Sequence, residues 1–162
     1  MAAGNEAYGR QAGAYGIGGS LPLGRTDGVL SRRILAYCVD LVAIFMLTLL
    51  FGFLIGVAGI VTFGLSWALY AVLVPGTAIL YSAATVGGPS QATLGMRMTG
   101  VVVRDAETGG PVGPLIAAGH ALLFYVAAST FLLLLVDLAC GLARADRRLG
   151  HDLLAGVVAV RR

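Results

Sequence analysis

The sequence predicts an all-α membrane protein of about three transmembrane helices, with a short β-hairpin in the loop between the second and third. Three observations carry this prediction. Hydrophobic residues fill 58% of the 162 positions and charged residues 12%, about half the charged share of a soluble domain. From Leu41 to Met96 there are 56 residues without an Asp, Glu, Lys or Arg. As one helix that run would extend about 84 Å, so it must cross a hydrocarbon core of about 30 Å and return. A second apolar stretch, Leu115 to Leu142, carries Asp137 as its one formal charge.

Residues 1–30 hold eight glycines together with alanines, Tyr8 and Tyr15. This composition buries too little apolar surface to offset ordering entropy and predicts a disordered tail. The tail also lacks the unbroken apolar core of a signal peptide, so the first span is expected to serve as an uncleaved anchor. The membrane domain then runs over 31–162, with spans expected at about 34–57, 63–84 and 115–141. Gly56, Gly59 and Gly64 mark the easiest place for a return turn. Pro75-Gly76 falls inside the second span, where proline removes a helix hydrogen bond and predicts a kink.

Residues 85–114 form the longest polar connection. Met98 to Arg104 is rich in β-branched residues, and Asp105 to Pro111 is a turn sequence, which together predict the hairpin. Pro114 is placed to open the third helix. No Gly or Pro lies between Gly119 and Gly141, which favours one continuous helix over two half-helices. The last segment holds five Arg from Ala143 onward and ends in Gly156-Val157-Val158-Ala159-Val160, a short strand candidate.

All eleven basic residues are Arg. They are not interleaved with aromatics in a solvated basic domain, so nucleic acid is not an expected partner. They read instead as topology signals and as contacts for a lipid bilayer. Arg10, Arg25, Arg32 and Arg33 precede the first span, and its return turn is uncharged. The N-terminus is therefore expected on the cytoplasmic side of a cell (inner) membrane. Three spans would then place the C-terminal Arg cluster outside, against the same trend, unless the third segment is re-entrant. Cys38 and Cys140 show no metal or redox spacing, and no catalytic motif is present. The expectation is a non-enzyme with no cofactor and no metal site.

Charges within the apolar runs are the informative residues, because they are costly there. Asp40 lies inside the first span, where an aspartate costs about 2.5–3.5 kcal/mol. Twelve Leu, Ile, Val or Phe residues between Leu41 and Val57 outweigh it, contributing around 5 kcal/mol at about 0.3–0.6 kcal/mol each. The helix inserts, but nothing within it neutralises the carboxylate. A partner from another segment or a proton is required. Arg33, Tyr37 and Asp40 share one helix face, although Arg33 is expected to snorkel toward the headgroups. His120 and Asp137 lie near opposite ends of the third segment, as interfacial residues or as proton-handling ones. Asp152 stands among Arg147, Arg148 and His151, as expected of a solvated carboxylate or a helix cap. Gly52 and Gly56 form a single GxxxG step, a candidate helix-packing surface for a homo-oligomer.

Three blocks carry a resemblance to a known family. Arg33-Ile34-Leu35-Ala36-Tyr37-Cys38-Val39-Asp40 resembles the opening of the RDD family of small integral membrane proteins. Gln91 to Arg97, followed by Gly100 to Asp105, is similar to its Thr-x-Gly-Lys-Arg loop, and Arg148 to Gly156 to its closing His-Asp block. The resemblance implies Arg33, Asp40 and Asp152 as the signature triad and possible ion site, with Asp137, His120, Arg97 and His151 as secondary candidates. Met96 stands where the family usually has Lys, and Val157 where it usually has Thr. A transport role, with exchange of a cation for a proton among the suggestions, is also what the resemblance implies. The competing expectation is an accessory protein that stabilises another membrane complex.

Overall fold

A computed structural model of the chain describes residues 26–162. The tail predicted over 1–30 lies outside the described residues except for positions 26–30, a turn followed by the first two residues of the first helix. Helix α1 (Val29–Val61) runs 33 residues, starting earlier than the predicted 34. It ends where Thr62 Oγ1 donates to the Ala58 carbonyl at 2.8 Å. The chain then reverses through Phe63 and Gly64, both at positive φ; Gly64, at 89°, has no Cβ to oppose that conformation. A 3₁₀ segment (Leu65–Val72) leads into helix α2 (Leu73–Val86). The predicted irregularity is present and lies just ahead of Pro75, because a proline ring opposes helical continuation in the turn before it.

α1 and the stretch Leu65–Val86 are the two described helices long and apolar enough to cross a membrane. Their side chains are largely uncovered: Phe53 is 68% and Ile60 76% exposed. Apolar surface this extensive is what a membrane-embedded helix pair presents to its surroundings. Gly52 and Gly56, expected as a helix-packing surface, face the second apolar stretch of the same chain. They pack within the chain, where a Cβ on Gly52 would meet Leu73 and one on Gly56 would meet Tyr70. Tyr70 donates its hydroxyl hydrogen to the Gly52 carbonyl at 2.7 Å.

The third apolar segment is not the single helix expected over 115–141. It divides into α4 (Pro114–Ser129) and α5 (Phe131–Ala143). At 16 and 13 residues these are about 24 and 20 Å long, each short of a full crossing. Thr130 is extended (φ −125°, ψ 116°). Next to it, Ser129 turns its hydroxyl back onto the Val126 carbonyl at 2.8 Å, the local side-chain bonding by which serine and threonine compete with helix. The pair is the only sequence signal of the break. α4 begins against the end of α2, with Pro114 beside Gly87, and α5 ends beside Leu30 at the start of α1. The segment therefore enters and leaves at the same end of the molecule.

That end is capped by short elements. Helix α3 (Leu94–Thr99) is N-capped by Thr93, whose hydroxyl accepts from the Met96 amide at 3.1 Å. Strand β1 (Val101–Asp105) follows, then, after α5, helix α6 (Gly150–Leu154) and strand β2 (Val157–Arg161). β1 pairs antiparallel with β2, from Val101 opposite Arg161 to Asp105 opposite Val157. The predicted local hairpin is thus corrected: both strand candidates are real, but they pair with each other. Asp105 does close a turn, accepting from the Glu107 and Thr108 amides. The return, however, runs through Gly109, Gly110, Pro111 and Gly113, a sequence unable to supply a ladder. The sheet residues join three small apolar clusters, and Met96 packs against all three. An apolar side chain where the resembling family has Lys is therefore accounted for by packing.

Candidate functional site

Asp40 projects from α1 toward α2 and α3. Its Oδ1 accepts from the Tyr81 hydroxyl at 2.6 Å and from the Gly95 amide at 2.8 Å, and its Oδ2 accepts from the Thr93 hydroxyl at 2.6 Å. Tyr81 in turn accepts from the Leu94 amide at 3.0 Å. The partner that α1 itself could not provide thus comes from three other places in the chain. The approach is close because Gly95 has no side chain: a Cβ there would stand 2.0 Å from the Ala36 carbonyl oxygen. Thr93 was legible in the sequence only as part of the block Gln91 to Arg97, and Tyr81 only as one residue of the second apolar run. Their partnership with Asp40 spans 41 and 53 positions.

A second network joins α1, α4, α5 and α6. Arg33 holds both oxygens of Asp152, Nη1 on Oδ2 and Nη2 on Oδ1, the latter at 2.9 Å. His120 Nε2 lies 2.8 Å from Asp152 Oδ1, and the Leu149 amide donates to Oδ2 at 2.9 Å. His151 Nδ1 sits 2.9 Å from each oxygen of Asp137, which also accepts from the His151 amide at 2.7 Å. Arg33 Nη2 approaches His151 Nε2 at 3.2 Å. Arginine can only donate. Nε2 of His151 therefore accepts from Arg33, which leaves Nδ1 as the ring nitrogen that donates to Asp137.

Four expectations are corrected here. Arg33 does not snorkel outward; it turns in to a buried bidentate pair. Asp152 is not solvated but 1% exposed, although it does cap α6 through the Leu149 amide. His120 and Asp137 do not reach out to the surface of the protein; both are buried. The cause is common to all four: the reversal at Ser129–Thr130 brings both halves of the third segment onto α6, so each charge meets an opposite or hydrogen-bonding partner away from water. Burial pushes the Asp152 carboxyl up, but the Arg33 charge, the His120 hydrogen bond and the Arg33 hydrogen bonds outweigh it. They hold the group well below the ordinary carboxylate range. Among the described residues, no buried side-chain polar atom lacks a partner. Arg97 is brought to neither network and is exposed on α3.

Between the two networks lies a cavity of about 460 Å³. Arg33, Tyr37 and Asp40 line it from α1, as their shared face requires. Tyr81 and Ser82 line it from α2, His120, Phe124 and Tyr125 from α4, and His151 from α6. The sequence predicted no metal site, because spacing reveals none. The fold nevertheless brings one imidazole nitrogen each of His120 and His151 and an oxygen of Asp152 within 4.8 Å of one another.

An apolar helical pair, a shorter helical hairpin and a polar cap with buried carboxylates facing a cavity have the form of a small membrane protein. The chain matches the RDD family over residues 28–156 and belongs to it. No curated protein and no solved structure matches the chain.

Proposed function

We propose that this protein is a small ion- or proton-coupled transporter of the cell (inner) membrane, or a component of one, with Asp40 as the carboxylate that takes up the proton or cation. The observation that carries this reading is a buried, three-donor carboxylate on the wall of a 460 Å³ cavity within apolar helices. Ionised, Asp40 accepts from Tyr81, Thr93 and Gly95 and ties α1 to α2 and α3. Protonated, it becomes a donor at one oxygen and releases at least one of these ties. Proton uptake is thereby coupled to the docking of the cap on the spans. Arg33, on the same wall of the cavity, and its partner Asp152 are the nearby charges of the second network.

The re-entrant segment supports a cytoplasmic N-terminus. Every Arg among the described residues belongs to the start of α1 or to the cap and its connections. The positive-inside trend then holds for both ends of the described chain. Two spans and a hairpin are few for a pathway with alternating access, so the working unit is a homo-oligomer. Asp40→Asn keeps size and one acceptor oxygen but removes the titrating charge. It is expected to abolish coupled cation or proton flux in vesicles while expression is retained; unchanged flux rejects the role.

The saturation of Asp40 by three donors favours a second reading, an accessory protein whose carboxylate only locks the fold. In that case Asp40→Asn lowers protein level or recovery of a membrane partner and leaves ion flux untouched.

A further inference from the structure

We propose that His120, His151 and Asp152 form a binding site for a transition-metal dication of the zinc class, reached from the central cavity and filled in the metal-free protein by the guanidinium of Arg33. The proposal goes beyond the transport reading and stands whether or not Asp40 carries an ion.

The three ligand atoms converge. Asp152 Oδ1 is 2.8 Å from His120 Nε2 and 3.3 Å from His151 Nε2, and all three lie within 4.8 Å of one another. Four ligands at about 2.0–2.1 Å around zinc stand roughly 3.3 Å apart. Closing on a metal therefore needs side-chain shifts of only a few tenths of an ångström up to about one.

The surroundings fit as well. His151 donates Nδ1–H to Asp137, the carboxylate–histidine support that fixes a ligating ring and leaves Nε2 free for the ion. Asp152 Oδ2 is held independently by the Leu149 amide, so Oδ1 is the oxygen available to bind. His120 and His151 both line the cavity, which provides an entry path and room for a water as fourth ligand. Two imidazoles and one carboxylate suit zinc, cobalt, nickel or copper rather than calcium or magnesium.

Arg33 is the competitor. Its Nη2 rests 2.9 Å from Asp152 Oδ1 and 3.2 Å from His151 Nε2, against two of the three ligand atoms. Metal entry displaces Nη2 while Nη1 can stay on Oδ2. His120, which donates from Nε2 in the metal-free state, carries its proton on Nδ1 when Nε2 binds the ion. With Arg33 in place, Asp152 and Asp137 leave the metal-free cluster one negative charge; without it, two.

The test uses the full chain, purified in detergent, stripped with a chelator and titrated with Co2+ and, separately, Zn2+. The expected result is one ion per chain, with the visible absorption of four-coordinate Co2+ that Zn2+ displaces. His120→Gln keeps a hydrogen-bond donor for Asp152 but loses the ring, and it should abolish that spectrum. Arg33→Gln removes the competitor and should tighten Co2+ binding by at least about tenfold. No saturable binding by the wild-type chain, or binding that His120→Gln leaves unchanged, overturns the proposal. Weaker binding in a folded Arg33→Gln protein overturns the assignment of Arg33 as competitor.

Discussion

Replacing Gly95 with alanine sets two physical arguments against each other. Helix propensity predicts that Gly→Ala in a helix stabilises by about 1 kcal/mol. The packing predicts the opposite. A Cβ at Gly95 would lie 2.0 Å from the Ala36 oxygen, 2.7 Å from its carbon and 2.8 Å from its Cα, all backbone, where ordinary contact begins at 3.4 Å. Neither helix can yield by a side-chain rotation, so α3 must retreat from α1. The hydrogen bonds that break first run from the Gly95 amide and the Thr93 hydroxyl to Asp40, at 2.8 and 2.6 Å. Hydrogen bonds to a charged group contribute about 1.5–3 kcal/mol each. With the propensity gain subtracted, the net loss is about 2–5 kcal/mol. Gly76→Ala is the control, because nothing lies within 4 Å of that position. The thermal unfolding midpoint of the detergent-solubilised protein should fall for Gly95→Ala and hold or rise for Gly76→Ala. A Gly95→Ala protein as stable as wild type would refute the close approach of α3 to α1 and the account of how Asp40 is satisfied.

Two further outcomes follow from the polar cap. Asp152→Asn leaves Arg33 without its counter-charge at a site where that side chain is 10% exposed, and should cost about 3–5 kcal/mol. Because the folded Asp152 group is held below its reference value of 3.8, its contribution is fully present above that value, starts to decline below it and is lost only as pH falls through the lower folded value. The gap in unfolding midpoint between wild type and Asp152→Asn should thus stay constant from about pH 5 to 8 and narrow in stronger acid; a gap closing already near pH 6 contradicts this. Removing residues 157–162 takes away the partner of β1. The exposed edge Val101-Val102-Val103 should then pair between molecules, seen as higher-order species in gel filtration.

Much of this protein is set by composition. A charge-free run of 56 residues is too long to stay one apolar helix and must fold back on itself, so the apolar pair, its turn near Gly64 and the irregularity ahead of Pro75 are local consequences of sequence. The strand candidates at Val101–Val103 and Val157–Val160 were equally legible, as was the shared face of Arg33, Tyr37 and Asp40. The family, too, could be read from three short blocks. What tertiary structure alone decided is pairing. Nothing near Asp40 in sequence indicates Tyr81 or Gly95, and nothing near Asp152 indicates Arg33, which lies 119 positions away. The hairpin expected after β1 lost to a distant strand because the local return is built of glycine and proline. The third helix broke at Ser129–Thr130, without glycine or proline, because folding back lets His120 and Asp137 reach partners that a straight helix would have held apart. A buried charge states in the sequence that a partner must exist; which residue serves depends on the free energy of the whole assembled cap, and so is settled only in three dimensions.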